Sequence, residues 1–137
     1  MALSNLAVFA QKPMTGTVVV TGAAGAINSD APTGVSLLMT AGQDGAILTR
    51  LWAIPRGTVG AGSLLLFIQG ADGAVRLIDS EALAAFTSST SVALPETVFS
   101  NYSENTPLRL AAGDKLYVGN QVAAASGMVF RAEWTNF

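Results

Sequence analysis

Residues 107–134 read PLRLAAGDKLYVGNQVAAASGMVFRAEW. Apolar and polar side chains alternate through most of this stretch, which is the pattern of β-strands with one buried face. The alternating runs are residues 108–110, 115–122 and 128–134. Gly113-Asp114 is a turn signal between the first two runs, and Met128, Phe130 and Trp134 fall in phase in the third. The stretch therefore predicts three successive antiparallel strands in a meander, with Trp134 in the core.

Turn-rich segments divide the remainder of the chain into further short apolar runs. We expect strands at residues 16–21, 35–41, 46–54, 63–69, 74–79 and 91–94. Turn signals spaced about 8–12 residues apart are typical of a sandwich or barrel. The predicted fold class is an all-β antiparallel sandwich, jelly-roll-like, with about eight to ten strands.

The run 46–54 carries large apolar side chains on both faces. Strict alternation places Ile47, Thr49, Leu51 and Ala53 on one face and Leu48, Arg50, Trp52 and Ile54 on the other. A strand with two apolar faces is predicted to be central in its sheet, or to meet a partner through its outer face.

One short helix is predicted at residues 80–86, because Asp79 or Ser80 could cap its first turn. Residues 1–14 are predicted to form an N-terminal arm, because Pro13 cannot donate to a strand ladder and should end any pairing there. Residues 15–137 then form a single β-sandwich domain, which is large enough to bury its own core. The connection at residues 22–34 is long, so we expect it to be functional or mobile.

The composition argues against several classes of function. The 137 residues include no cysteine and no histidine, which removes thiol chemistry and the commonest general base and metal ligand. Charged residues make up only 12% of the chain and the net charge is -2, so we expect no nucleic-acid partner. No apolar run is long enough to span a membrane, and the first residues do not resemble a signal peptide. A surface with so little charge also suits an assembly subunit.

Acidic side chains are the remaining candidates for catalysis. Asp79 and Glu81 are close in sequence and could form a glycosidase-like acid pair. A helix cap explains them more simply. Four further aspartates stand beside turn residues, where aspartate hydrogen-bonds its own backbone. They are Asp30, Asp44, Asp72 and Asp114. Their spacing does not match a calcium loop, so we expect no metal. Because turns and a helix cap account for these acids, we also expect no catalytic residue and no cofactor.

Residues 17–27, TVVVTGAAGAI, resemble the strand and glycine loop of short-chain dehydrogenases. Asn28 stands where the third glycine is needed, and Pro32 prevents the helix that should follow. No Tyr-x-x-x-Lys pair occurs in the chain. A dinucleotide site is therefore not expected.

Aromatic and basic side chains on the predicted strands have two interpretations. Arg50 and Arg131 lie among apolar neighbours, so each is expected to pair with an acid at a sheet edge or a subunit contact. Aromatic residues on strands usually belong to the core, but four of them could instead form a platform for sugar stacking. They are Trp52, Tyr102, Tyr117 and Trp134.

Residues 107–119, PLRLAAGDKLYVG, resemble a hairpin of jelly-roll modules in virion proteins of tailed bacteriophages and in some trimeric extracellular proteins. The short arm, the lack of cysteine and histidine, and the loops rich in Gly, Ala and Thr extend this likeness. The chain as a whole is similar to the small head decoration, or cement, proteins of tailed bacteriophages. The resemblance is close in the last third and covers the rest in general character.

This resemblance implies a structural virion protein on the outside of an icosahedral capsid, made in the host cytoplasm. It implies a homotrimer that stabilises the capsid by bridging subunits of the major capsid protein, with no membrane partner and no enzyme activity. Contacts with the capsid or with other subunits are predicted for Leu3, Leu6, Val8, Phe9, Ile27, Asn28 and Asp30. The alternative is a carbohydrate-binding or host-recognition module of a phage fibre, which predicts exposed Trp or Tyr side chains at loop ends.

Overall fold

The computed structural model describes residues 12–137. All regular secondary structure in this part of the chain is β, which confirms the predicted all-β class. The strands are β1 (Lys12–Val20), β2 (Ser36–Thr40), β3 (Ala46–Pro55), β4 (Gly62–Gln69), β5 (Val75–Leu83), β6 (Thr97–Val98), β7 (Leu108–Leu110), β8 (Lys115–Asn120) and β9 (Met128–Asn136). Their number lies within the predicted range of about eight to ten.

The strands form two antiparallel sheets that pack face to face. In the first sheet the order is β1-β9-β3, and the short strands β6 and β7 both pair with the free side of β3. In the second sheet the order is β2-β8-β4-β5. Apolar side chains from both inner faces form one core, which includes Leu48, Leu64, Val118, Phe130 and Trp134. The predicted core position of Trp134 is confirmed, since only 6% of its surface is exposed.

Two turns carry the chain from one sheet to the other. Residues 41–45 connect β2 to β3, and residues 111–114 connect β7 to β8. These corners lie side by side, because Gly113 N donates to Gly42 O at 3.3 Å and Ala41 N donates to Asp114 O at 2.8 Å. The predicted meander is therefore wrong: β7, β8 and β9 have no direct pairing with one another. Alternation shows which face of a strand is buried, but it does not specify the neighbouring strand.

A bulge in β3 changes which of its side chains face the core. The pairing of β3 with β9 shifts register between Leu48 and Arg50, and an extra residue in one strand reverses the alternation beyond it. Leu48 and Leu51 are consequently both buried, whereas Trp52 is half-exposed. The prediction that Leu48 shares a face with Trp52 is wrong, but the predicted central position of β3 is confirmed.

The helix predicted at residues 80–86 is not present. Residues up to Leu83 belong to β5, which pairs with β4 from Leu83 opposite Gly62 to Val75 opposite Gln69. Asp79 accepts a hydrogen bond from the amide of Ser80 at 2.8 Å, so its carboxylate caps a local backbone group without starting a helix. The period of burial here is two, because Asp79, Glu81 and Leu83 are less exposed than the residues between them.

Two strand boundaries also differ from the predictions. Residues 91–94 are not a strand; the chain instead forms β6 at Thr97–Val98. β1 begins at Lys12, and Pro13 is paired opposite Thr135 of β9. Pro13 does not stop the ladder because β1 is at the edge of its sheet among the described strands, where a missing N–H leaves no partner unsatisfied.

The long connection between β1 and β2 is a packed layer on the outer face of the second sheet. Ala24 N donates to Asn120 O at 2.6 Å on β8, and Val75 N of β5 donates to Asp30 O at 3.0 Å. A Cβ added to Gly119 would lie 3.3 Å from the side chains of Ala24 and Val35, so the loop lies directly on this strand. The loop therefore crosses the sheet from β8 to the edge strand β5.

This layer explains why two residues of β4 are buried outside the main core. Leu64 and Leu66 face the core, whereas Leu65 and Phe67 lie on the opposite face and are 2% and 0% exposed. Leu65 pairs with Gly119, so it shares the face that the loop covers. The second sheet is thus buried on both sides along β4, which accounts for its continuous apolar sequence.

Candidate functional site

The tip of the loop between β1 and β2 holds the three described residues that the sequence assigned to capsid or subunit contact. Ile27 is half-buried, and Asn28 and Asp30 are exposed. They surround a shallow depression of about 330 Å³ together with Arg76 and Leu77 of β5. The structure therefore brings these three predicted residues onto one surface. The other four lie outside the described part of the chain: Leu3, Leu6, Val8 and Phe9.

The shape of this loop tip is maintained by its own hydrogen bonds. Gly25 and Thr33 exchange two backbone hydrogen bonds, of 3.0 and 2.9 Å, which close the base of the tip. Ser29 donates to Ala26 O through its amide at 3.1 Å and through its hydroxyl at 2.7 Å. Ala26 takes a positive φ of 51° to make this turn. The tip is a closed unit and presents Asn28 and Asp30 in a defined position.

Arg76 ties the loop tip to the second sheet. Its Nε lies 3.1 Å from Asp30 Oδ1 and its Nη1 lies 3.0 Å from Asp72 Oδ2. The hydrogen bond from Arg76 is the main cause that lowers the pKa of Asp72, and the two carboxylates raise the pKa of Arg76. One arginine therefore holds a loop and a strand turn at a fixed spacing.

Two exposed apolar side chains lie beside the loop tip. Leu77 and Ile78 are 39% and 41% exposed, although they are consecutive residues of one strand. A bulge explains this: Phe67 pairs with Leu77 and Leu66 with Asp79, which leaves Ile78 without a partner on β4. Neither residue is among those predicted from the sequence to make capsid or subunit contacts. Two adjacent large apolar residues in an alternating strand were the available signal, since a regular strand buries only one of them.

The outer face of the first sheet carries a stacked group of aromatic and charged side chains. The Arg50 guanidinium lies 4.0 Å from the centre of the Trp52 ring, and the Arg131 guanidinium lies 5.4 Å from it. Arg50 Nη2 also contacts Glu96 Oε1 at 2.9 Å, and Arg131 Nη2 lies 3.9 Å from Glu133 Oε2. The prediction that each arginine pairs with an acid is confirmed, but both arginines lie on strands inside the first sheet and not at its edge. Two cations therefore lie within cation–π distance of the Trp52 ring.

A groove of about 460 Å³ opens next to this group. It lies where β6 and β7 are interrupted by the loop at residues 99–107, opposite the bulge in β3. The lining side chains are Thr49, Arg50, Val98, Ser100, Tyr102, Ser103, Glu104 and Glu133. The groove thus combines one cation, two carboxylates, several hydroxyls and the apolar surfaces of an aromatic ring and a valine.

Asp79 and Glu81 hold the loop that forms one wall of this groove. Asn101 donates to both carboxylate oxygens of Asp79, at 3.2 and 3.3 Å. Ser100 donates to Glu81 Oε1 through its hydroxyl at 3.0 Å and through its amide at 3.2 Å. Burial first, and then the charge and hydrogen bonding of Asp79, raise the pKa of Tyr102, so its hydroxyl stays protonated at neutral pH. These contacts give both acids a structural role.

Neither a metal cluster nor a membrane helix is found in the described part of the chain. No group of three or more Asp, Glu, His or Cys side chains within residues 12–137 is arranged to hold a metal ion. Over the same residues, no helix is long and apolar enough to cross a bilayer.

Comparisons with known proteins return little for this chain. No protein-family model matches the sequence, and no curated protein matches it. Among solved structures, a chain described as "Structure of infectious bursal disease virus Gt strain" aligns with a TM-score of 0.33 and 14% sequence identity. The alignment covers 99% of this chain and 35% of that one, so this chain spans about a third of its length. A similarity at this level does not establish a shared fold or function.

Proposed function

We propose that this chain is a structural virion protein that binds the outside of an icosahedral capsid and stabilises it by bridging major capsid subunits. The proposed fold is a jelly roll, the proposed assembly is a homotrimer, and the proposed location is the capsid surface of a tailed bacteriophage. The protein acts by burying its surface against capsid subunits. The proposal therefore includes no catalytic residue and no cofactor.

The strand order is the observation that carries this proposal. If β6 and β7 are counted as one interrupted strand, each sheet has four strands, and the chain passes repeatedly from one sheet to the other. Eight strands in two packed sheets with Greek-key connections define the jelly roll, an architecture used by capsid proteins and lectins. Because a fold alone does not determine function, the proposal also needs a surface suited to a protein partner.

That surface is the loop tip together with the start of β5. Leu77 and Ile78 offer apolar area, and Asn28 and Asp30 add polar groups beside it. A partly apolar centre with a polar rim is the usual anatomy of a protein interface. The Arg76 ion pairs hold the tip in place before binding, which reduces the entropy lost on contact.

Binding to undecorated capsid shells tests this surface directly. We expect Leu77→Asp to weaken co-sedimentation of the full chain with shells by at least about tenfold, because it places a charge in the apolar centre. Val92→Asp is the matched control, since Val92 is also exposed but lies in the connection before β6. Equal binding of Leu77→Asp and the unmodified chain would reject this surface.

The arm is tested separately. Deletion of residues 1–11 leaves every described residue of β1 in place. We expect the sandwich to keep its thermal stability while shell binding is lost. Decoration by the shortened chain would exclude the arm from the contact. Light scattering after size exclusion gives the mass in solution, and a stable trimer would support the proposed assembly.

A further inference from the structure

The groove on the outer face of the first sheet is separate from the surface that the proposed function uses. Among the described residues, the proposed capsid contact lies on the second sheet, at the loop tip and β5, whereas the groove is bordered by β3, β6 and β9. A subunit attached through the loop tip therefore does not use the groove for that contact.

We propose that this groove binds a saccharide. Its volume of about 460 Å³ lies within the range of sites for small ligands, roughly 300–1,000 Å³. The class of ligand follows from the groups that line the groove and from those that remain available to a ligand.

The groove contains both hydrogen-bond acceptors and hydrogen-bond donors. The carboxylates of Glu104 and Glu133 accept hydrogen bonds, and the Arg50 guanidinium has five N–H groups, of which one contacts Glu96. Stacking on Trp52 and the contact with Glu96 hold Arg50 in place. A polyhydroxylated ligand can donate to the two acids and accept from the arginine with neighbouring hydroxyls.

The groove also has apolar surface for the C–H face of a sugar ring. Tyr102 is one of the lining residues and is partly buried against the core. Val98 is partly exposed on the adjacent wall. Aromatic and aliphatic surface beside a few fixed polar groups is the usual composition of a small-molecule site.

A lysine or arginine side chain of a protein partner is the competing occupant, because the groove contains two carboxylates. Arg50 argues against it. Its guanidinium lines the same groove and would repel a second cation, whereas a neutral ligand with hydroxyl groups can use both signs of charge.

NMR titration of the isotopically labelled full chain tests the proposal. The probes are maltotriose, cellotriose, chitotriose and N-acetyllactosamine, each at millimolar concentration, and lysine amide as the cationic comparison. We expect at least one saccharide to shift the amide signals of Arg50 and residues 100–104. The combined Glu104→Gln and Glu133→Gln variant should weaken that binding by about tenfold, since each change removes a charged acceptor.

The control variant is Asp72→Asn, which changes an exposed acid on the β4–β5 turn and should leave saccharide binding unchanged. The proposal is overturned if none of the four saccharides shifts the groove signals, or if the shifts persist unchanged in the double variant. Binding of lysine amide alone would also overturn it and would assign the groove to a basic side chain. Capsid binding plays no part in these measurements.

Discussion

Asp30 Oδ1 accepts a hydrogen bond from Arg76 Nε at 3.1 Å, across 46 positions of sequence. The backbone reinforces this contact, because Asp30 O also accepts from Val75 N at 3.0 Å. Both side chains are more than half exposed, so the pair contributes little to global stability. Its effect is local: it fixes where the loop tip stands relative to β5.

Replacing Arg76 should loosen the loop tip without unfolding the sandwich. In Arg76→Ala, we expect the amides of Val75 and Thr33 to exchange with solvent faster by up to roughly fivefold, while the melting temperature stays nearly constant. NMR-detected hydrogen exchange measures the exchange rates of both amides. Arg109→Ala is the control, because Arg109 is an exposed cation of β7 for which no ion pair is found among residues 12–137. Equal exchange in the two variants would contradict the anchoring role.

Acidification should release the contact between Arg76 and Asp72. The pKa of Asp72 in the folded chain lies below its usual value of 3.8, mainly because of the hydrogen bond from Arg76. A carboxyl group with a lowered pKa stabilises the fold fully above its unfolded pKa, and this contribution is lost as the pH falls through the folded pKa. We therefore expect the contact to persist at pH 3.8 and to be lost only as the pH falls further, through the lowered pKa of folded Asp72.

The carboxyl carbon signal of Asp72 reports this titration in the native chain and in Arg76→Ala. The titration midpoint should rise toward the usual value when the guanidinium is removed. An unchanged midpoint would show that Arg76 does not set the pKa of Asp72.

Phe67 should contribute as much to stability as a residue of the main core. It is fully buried on the outer face of β4, so Phe67→Ala should lower the free energy of unfolding by about 3–5 kcal/mol. Leu77 lies opposite Phe67 and is 39% exposed, so Leu77→Ala should cost about 1 kcal/mol or less. Urea unfolding measures both values. Similar losses for the two variants would mean that the loop layer does not shield Phe67.

Gly34 should tolerate no side chain. It has a positive φ of 72°, and a Cβ there would lie 2.5 Å from Ala23 O. Because backbone strain and a backbone clash act together, Gly34→Ala should cost at least about 2 kcal/mol. Gly73 has a φ of 81° but open space around it, so Gly73→Ala should cost about 1–2 kcal/mol from strain alone.

Gly22 provides the second control for this comparison, because it lies in open space without a positive φ. Gly22→Ala should change the unfolding free energy by no more than about 0.5 kcal/mol. Thermal unfolding of the three variants checks the predicted ranking, in which Gly34→Ala loses the most stability and Gly22→Ala the least. Equal losses for Gly34→Ala and Gly22→Ala would contradict it.

The sequence specified strands better than it specified their partners. Period-two alternation located β9 and showed that Phe130 and Trp134 face inward, because burial of one face is a local property. It could not show that β7 pairs with β3 and that β8 pairs with β2 and β4, since pairing depends on contacts far apart in the chain. The turn at residues 111–114 has the composition of a hairpin, but it acts as a corner between sheets.

Two further errors have the same physical origin. Residues 80–86 contain good helix formers, but pairing of β5 with β4 overrides local propensity. The bulge near Thr49 reverses the phase of β3, and no residue type in the sequence marks it. The candidate surface was found in part: Ile27, Asn28 and Asp30 were selected because they lie in a long loop. Leu77 was missed because its exposure depends on a bulge and on its position at a sheet edge.

The position of β9 has a consequence for how the molecule forms during synthesis. β9 lies between β1 and β3, and it follows the other eight strands of residues 12–137 in the sequence. The first sheet therefore cannot close until the ribosome has produced the chain through Asn136. Until then, the edges of β1 and β3 that pair with β9 lack their shared neighbour, while the hairpin of β4 and β5 can already form. Such long-range closure makes folding slow, and the growing chain exposes unpaired strand edges until β9 is in place.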